Sequence, residues 1–203
     1  MSTYLRVWLS IGIVSLLAAC AGLPGGTADT AGLGAQTSQR QTAQPLHRQG
    51  RFAVHAERMY DKPEAVQGGG SWADDGTQLV LELRNPLGQV MAQLQVNEQG
   101  AWLQEPRAGM RYSPSANALA EEIFNHPIPV EGLRTWLRGQ VSADARERRF
   151  NAHQKITQAY DQGWRIELSD YDDLGPKRLL LVFHQGAQRI TVRIVIDALP
   201  TQI

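Results

Sequence analysis

Residues 79–96 read LVLELRNPLGQVMAQLQV, two apolar runs joined by the tetrapeptide Asn85-Pro86-Leu87-Gly88. Apolar side chains occupy every second position of both runs, as Leu79, Leu81 and Leu83 do in the first. Alternation with a period of two indicates β-strands that have one buried and one wet face. Because the connection is far too short for a crossover helix, we expect the two strands to form an antiparallel hairpin.

The same alternation recurs on both sides of this hairpin, in residues 51–56 and again in residues 165–168 and 189–196. Turn signals such as Asp161-Gln162-Gly163 separate the runs at a spacing of about 8–12 residues, which is typical of an antiparallel meander. No strand-helix-strand rhythm accompanies them. We therefore predict a mainly β fold, an antiparallel sheet of about ten or eleven strands that forms a closed or nearly closed cup, with a helical insert.

The insert lies between residues 113 and 139, where the apolar period becomes helical. Ser113-Pro114 predicts a helix start, His126-Pro127 ends that helix, and Gly139 ends a second one. Each helix has one apolar stripe, so we expect the pair to cover the apolar face of the sheet as a lid. The stripes consist of Leu119, Ala120, Ile123 and Phe124 in the first helix and of Leu133, Trp136 and Leu137 in the second. The charged residues 142–150 predict a surface turn or loop.

Periodicity does not distinguish a cup with a cavity from a filled core, and small barrels usually fill their interior with side chains. The pattern alone therefore favours a filled core. Trp136 has two interpretations, a position under the lid or an exposed one at its rim. The side chains expected to face the interior are Phe52, Val54, Leu79, Leu81, Leu83, Leu94, Ile166, Leu168, Ile190, Val192, Ile194 and Ile196 of the sheet and Phe124, Leu133, Trp136 and Leu137 of the lid.

The first twenty residues predict a secretory signal. Arg6 precedes an apolar run over residues 7–19 that no charge interrupts, and the run is too short for a membrane-spanning helix of about 20 residues. The run ends in Leu17-Ala18-Ala19-Cys20, which resembles the lipobox of bacterial lipoproteins. We therefore expect a signal peptide over residues 1–19 and lipid attachment at Cys20; the alternative is an incidental cysteine behind an ordinary signal. Position 21 is Ala and not the Asp of inner-membrane retention, which favours the outer membrane.

Residues 21–44 consist mostly of Ala, Gly, Thr, Gln and Ser, a composition that predicts a flexible tether. The lipidated cysteine and tether would thus occupy residues 20–45. A single folded domain would occupy residues 46–203.

Composition excludes several classes of function. The chain has 203 residues with 20 Lys+Arg against 20 Asp+Glu and a pI near 7.0, which argues against nucleic-acid binding. A single cysteine excludes a disulfide framework or a Cys-rich zinc site. No H-E-x-x-H, G-x-S-x-G or phosphate-binding motif is present, so we predict no catalytic residue, metal or cofactor. Gly68-Gly69-Gly70 indicates a turn or strand bulge more than a ligand loop, and Asp170, Asp172 and Asp173 indicate a solvated hairpin end.

Three stretches, in matching order along the chain, resemble the LolB family of outer-membrane lipoprotein receptors. They are the Asn85-Pro86-Leu87-Gly88 turn, residues 127–139 (PIPVEGLRTWLRG), and the hairpin from Gly163-Trp164-Arg165 to Tyr171-Asp172. The second stretch is the specific one. The resemblance spans residues 49–198 and implies an incomplete barrel with a helical lid over a hydrophobic cavity for acyl chains. It therefore favours the cup over the filled core.

The resemblance also implies a function and partners. The protein would accept lipoproteins from a LolA-like periplasmic carrier by their acyl chains and insert them into the outer-membrane bilayer, acting as a monomer. Leu87 would lie on a protruding loop that assists delivery into the bilayer, although an isolated exposed leucine is commonly without function. Two other classes stay open. One is an outer-membrane lipoprotein that binds a lipid or scaffolds an assembly without inserting cargo; an esterase or glycosidase is a poorer fit, because no nucleophile-base pair can be identified.

Overall fold

The period-two segments form one antiparallel meander in the computed structural model, which describes residues 44–59 and 62–198. Within these residues eleven strands pair in the order β6-β5-β4-β3-β2-β1-β11-β10-β9-β8-β7. The first and last strands meet in the middle of the sheet, while β6 and β7 are its two free edges. The strands are β1 (Leu46–Arg58), β2 (Glu64–Asp74), β3 (Leu79–Arg84), β4 (Val90–Asn97), β5 (Gly100–Glu105), β6 (Gly109–Ser113), β7 (Arg146–Phe150), β8 (Ile156–Asp161), β9 (Trp164–Asp172), β10 (Gly175–Gln185) and β11 (Gln188–Ile196).

This arrangement confirms the predicted fold class, with the sheet open and not closed on itself. Two helices, α1 (Ala116–Phe124) and α2 (Val130–Trp136), connect the edge strands β6 and β7. Alternate side chains of the sheet are buried on the face that the helices cover, and the other face is largely polar. We call these the covered face and the outer face.

The helix α1 begins two residues later than Ser113-Pro114 predicted. The N-cap is Ser115, whose hydroxyl accepts a hydrogen bond from the backbone N–H of Ala118 at 3.3 Å. Ser113 belongs to β6, and its hydroxyl accepts from the N–H of Ser115. Both serines have the side chain that an N-cap needs, so only the pairing of β6 with β5 decides between them.

The prediction of a turn or loop over residues 142–150 was wrong for its second half, because Arg146–Phe150 form the edge strand β7. All five residues are exposed, so no apolar alternation marks them as a strand. Pairing with β8 provides their backbone partners, with register shifts on either side of Arg149. A short, irregular and highly charged strand is a common way to protect a sheet edge from further pairing.

Gly68, Gly69 and Gly70 lie inside β2 and form neither a turn nor a bulge in its pairing with β1. Phe52 lies directly opposite Gly68, and its ring covers the space that glycine side chains leave empty. A Cβ atom on Gly68 would lie 2.0 Å from the carbonyl oxygen of Arg84 and 3.2 Å from the Phe52 ring. One on Gly70 would meet its nearest atoms only at 3.7–3.9 Å. The three glycines therefore allow the backbone at Arg84 and the ring of Phe52 to approach β2 closely.

We expect Gly68→Ala to lower the free energy of unfolding by about 1–3 kcal/mol, because it overpacks a site bounded by backbone. Gly70→Ala is the matched control. It should be neutral or stabilising by up to about 1 kcal/mol, because the new methyl group fits and the unfolded chain loses freedom. Urea unfolding of both variants provides the comparison, and equal stabilities would contradict this account of the glycine run.

No helix in the described part of the chain is long and apolar enough to cross a membrane. The predicted signal peptide, Cys20 and the tether up to residue 43 lie outside the described residues.

A lidded apolar cavity and an exposed leucine loop

A cavity lies on the covered face, between the middle strands of the sheet and the helical segment over residues 115–139, which we call the lid. It has a volume of about 80 Å³. The sheet contributes apolar side chains from β1, β2, β3 and β11, and the lid contributes side chains from both helices and from the loop between them. These apolar lining residues are Phe52, Val54, Trp72, Leu81, Leu83, Val192, Ile194 and Ile196 of the sheet and Phe124, Ile128, Leu133 and Leu137 of the lid.

The sequence-predicted site residues divide into two groups. Phe52, Val54, Leu81, Leu83, Phe124, Leu133, Leu137 and Ile194 come together around the cavity. Leu79, Leu94, Trp136 and Ile166 are at most 1% exposed and lie in the packed core, outside the cavity lining. The covered face is thus a filled core over part of its length and a cavity over the rest. Alternation identifies the face but does not say which part of it stays unfilled.

Sequence reasoning missed several lining residues, of which three have large side chains on the covered face or in the lid. Arg48 and Trp72 lie on the covered face of β1 and β2, and Ile128 lies between Pro127 and Pro129 in the α1–α2 loop. The signal for Arg48 was present, because it continues the alternation of Phe52 and Val54 toward the start of β1. A charged residue at an inward position of a strand indicates a buried partner or a function.

Salt bridges attach the lid to the end of β2. Arg134 on α2 donates to both carboxylate oxygens of Asp74, at 2.8 and 3.2 Å. Arg138 donates to the backbone carbonyl oxygens of Asp74 at 3.1 Å and of Gln44 at 2.6 Å. Burial of Asp74 raises the pKa of its carboxyl, but the hydrogen bonds from Arg134 and Gly76 outweigh that effect and hold the pKa below its usual 3.8.

A second attachment joins α2 to the end of β8. The indole N–H of Trp136 donates to Asp161 Oδ2 at 2.8 Å, and Ser142 donates its backbone N–H to the same oxygen at 3.0 Å and its hydroxyl to Oδ1 at 2.5 Å. Burial raises the pKa of Asp161, but the donors from Ser142 and Trp136 more than offset this and lower it. The lid is therefore fixed to both halves of the sheet by buried carboxylates.

The Asn85-Pro86-Leu87-Gly88 loop between β3 and β4 holds its leucine away from the rest of the molecule. Asn85 Oδ1 accepts hydrogen bonds from the backbone N–H groups of Leu87 at 2.9 Å and Gln89 at 3.0 Å. Gly88 adopts a φ of +83°, which favours glycine. Leu87 is 85% exposed, more than any other large apolar side chain among the described residues. An ordered turn thus presents one apolar side chain to the solvent.

We expect stability to be constant between pH 7 and about pH 5 and to fall in acid. Asp74, Asp161 and Asp172 all have pKa values that are lower in the folded chain than the usual 3.8. The unfolded state therefore binds more protons, so this stabilisation is complete above about pH 5 and is lost as the pH falls through the folded pKa values. Urea unfolding at pH 7, 5, 4 and 3 measures the effect.

The matched variants are Asp74→Asn, which removes one of these carboxylates, and Asp144→Asn, which changes an exposed aspartate. Asp74→Asn should lower stability at pH 7 and flatten the decline below pH 4, whereas Asp144→Asn should follow the parent protein. A parent stability that rises from pH 5 to pH 3 would contradict the assignment.

The structure thus combines an open antiparallel sheet with an apolar cavity under two attached helices. The family described as Outer membrane lipoprotein LolB matches residues 44–198. A relative from Bordetella petrii is 37% identical over 197 residues, which are 95% of this chain and 92% of the relative. One from Cupriavidus necator is 32% identical over 192 residues, 92% of each chain. Both are named outer-membrane lipoprotein LolB.

The chain belongs to the LolB family, and it is an outer-membrane lipoprotein. Among solved structures, a LolA superfamily protein from Nitrosomonas europaea is 9% identical, covers 76% of this chain and 87% of its own, and has a TM-score of 0.41. That likeness is too distant to bear on the function of this chain.

Proposed function

We propose that the protein is an outer-membrane-anchored receptor of the lipoprotein localisation pathway, and not an enzyme. It accepts lipoproteins from a LolA-like periplasmic carrier by taking their acyl chains into the lidded cavity, and it inserts them into the outer membrane. The observation that carries the proposal is the cavity under the lid, lined by Leu, Ile, Val and Phe side chains. Membership of the LolB family supports the same function.

The physical argument starts from the cargo. Acyl chains that cross an aqueous compartment expose apolar surface at a cost of about 25 cal/mol per Å², so a receptor has to cover them. The cavity of about 80 Å³ has room for only a few waters, so acyl chains enter only if the lid moves away from the sheet. The attachments of α2 through Asp74 and Asp161 are the contacts that such a movement would change.

Transfer in this mechanism needs no nucleotide. If affinity for the acyl chains increases from carrier to receptor and from receptor to bilayer, cargo moves down a free-energy gradient. The monomeric, lipid-anchored protein would then exchange cargo with a soluble carrier and with the membrane.

Photocrosslinking in the periplasm tests the proposal. A photoreactive amino acid in place of Leu133, which lines the cavity, should capture the acylated amino termini of lipoproteins. The same amino acid at Thr191, on the outer face, is the control. Capture of diverse lipoproteins at position 133 alone supports the receptor. Capture of one lipid or one structural partner would instead favour a lipid-binding or scaffolding lipoprotein, and hydrolysis of an ester substrate by the pure protein would favour an enzyme.

We also propose that Cys20 is the lipid anchor. Cys20→Ala should release the protein into the soluble periplasmic fraction, because two or three acyl chains are what hold it at the bilayer. The circular dichroism spectrum should be unchanged, since nothing in the sheet depends on the anchor. Recovery of the variant in membranes washed with high salt would contradict this assignment, whereas Ser2→Ala in the signal peptide should leave the location unchanged.

A further inference from the structure

Two buried N–H groups that have no hydrogen-bond partner within residues 44–59 and 62–198 belong to residues that line the cavity. They are Nε of Arg48 and Nε1 of Trp72. The Arg48 side chain is 1% exposed and Trp72 is 5% exposed. Native structures pair nearly all buried donors, so two unpaired donors in one cavity point to an acceptor that arrives with the ligand.

The two residues are direct neighbours across the sheet. Arg48 of β1 lies opposite Trp72 of β2 in the antiparallel register, and both point to the covered face. Cβ atoms of such a pair are about 4.5–5.5 Å apart, so the two side chains leave neighbouring positions on the same face. Elsewhere in the described residues only Arg111 has a buried side-chain donor of this kind, and it does not line the cavity.

The chemistry of the acceptor follows from the other contacts of Arg48. Its Nη1 and Nη2 atoms donate to Oδ2 and Oδ1 of Asp172 at 2.6 and 2.8 Å. This bidentate pair orients the guanidinium group and balances its charge, leaving Nε as the one guanidinium nitrogen without a partner among the described residues. A second anion at this position would meet an already neutralised arginine beside apolar walls, whereas a neutral carbonyl oxygen would satisfy the donors without burying a charge.

We propose that Arg48 and Trp72 form the subsite that binds the ester carbonyl of a fatty acyl chain. This inference rests on the proposed function, because it assumes that the cavity holds acyl chains. When the lid moves and the chain enters, the hydrocarbon contacts the apolar lining and the ester carbonyl accepts hydrogen bonds from Arg48 Nε and Trp72 Nε1. The subsite distinguishes an acyl ester from a hydrocarbon of the same length, and it determines how deeply the chain enters.

Trp72→Phe is the decisive variant, because it keeps an aromatic ring and removes the N–H donor. Trp102→Phe is the matched control, since Trp102 lies on the outer face and contacts Tyr112. The ligands are methyl palmitate and hexadecyl methyl ether, which have the same chain and differ by the carbonyl oxygen. Binding is measured by displacement of a fluorescent apolar dye from the complete chain carrying Cys20→Ala, which needs no detergent.

The parent should prefer the ester to the ether. Trp72→Phe should weaken ester binding about threefold to tenfold more than ether binding, the range expected for one hydrogen bond. Trp102→Phe should change neither affinity. Arg48→Lys keeps a positive charge for Asp172 but lacks Nε, so it should also reduce the preference for the ester.

Several results would overturn the subsite. An equal loss of ester and ether binding in Trp72→Phe would mean that the indole acts by shape alone. Equal affinities of the parent for ester and ether would remove the subsite and leave the receptor function standing. The palmitate anion is a third ligand. If it binds more tightly than the ester and only its binding weakens in Trp72→Phe, the donors belong to a carboxylate subsite. Failure of the parent to bind any of these ligands would contradict the proposed function itself.

Discussion

Replacing Trp136 with alanine is expected to lower the free energy of unfolding by about 3–5 kcal/mol, the cost of removing a large core aromatic side chain. The Trp136 ring is fully buried, so the interpretation of Trp136 as an exposed residue at the rim of the lid is wrong. It packs so closely against its own helix that a Cβ atom on Gly132 would lie 2.7 Å from it. The substitution leaves a cavity and also removes a hydrogen-bond donor from buried Asp161.

Trp136→Phe separates these two contributions. It keeps most of the apolar contacts and leaves Asp161 one donor short, so we expect a loss of about 1–3 kcal/mol. Trp102→Ala on the outer face should cost less than Trp136→Ala, because its ring is only partly buried. Urea unfolding measures all three variants. A loss below about 1 kcal/mol for Trp136→Ala would show that the ring contributes nothing to the packed interior.

Leu87→Glu is expected to abolish the incorporation of cargo into a bilayer while cargo uptake from the carrier continues. Leu87 is 85% exposed at the end of an ordered turn, so the substitution disturbs no packing. Insertion of one leucine into a bilayer is favourable by about 1.5–3 kcal/mol, which attracts the protein to the membrane without trapping it. A glutamate at the same position removes this favourable contribution and adds a charge whose transfer out of water costs free energy.

The experiment compares two steps in one purified variant, uptake from a loaded carrier and delivery into liposomes. Leu174→Glu is the matched control. Leu174 is a leucine in the β9–β10 turn, which lies at the end of the sheet opposite the β3–β4 turn. It should deliver cargo as the parent protein does. If Leu87→Glu delivers as much cargo as Leu174→Glu, Leu87 is an ordinary exposed residue.

Much of the fold follows from local pattern. Alternation in residues 79–96 identified β3 and β4, and the turn residues between them identified their connection. The apolar stripe of residues 133–137 identified α2. The failures have a common cause. β7 carries no apolar alternation, and Ser113 resembles an N-cap as well as Ser115 does, so both were decided by pairing with neighbouring strands.

The amino-acid sequence by itself determined the antiparallel meander, the two-helix insert, the buried face of the strands that alternate, and the loop that carries Leu87. These features depend on residue spacing and turn chemistry, which are properties of short segments. Only the tertiary structure decided that the sheet stays open, that Trp136 and Leu94 fill the core while Phe52 and Leu133 border a cavity, and that Arg48 meets Asp172. Those outcomes depend on which distant side chains share the same volume, since packing between elements is not encoded in the period of any one of them.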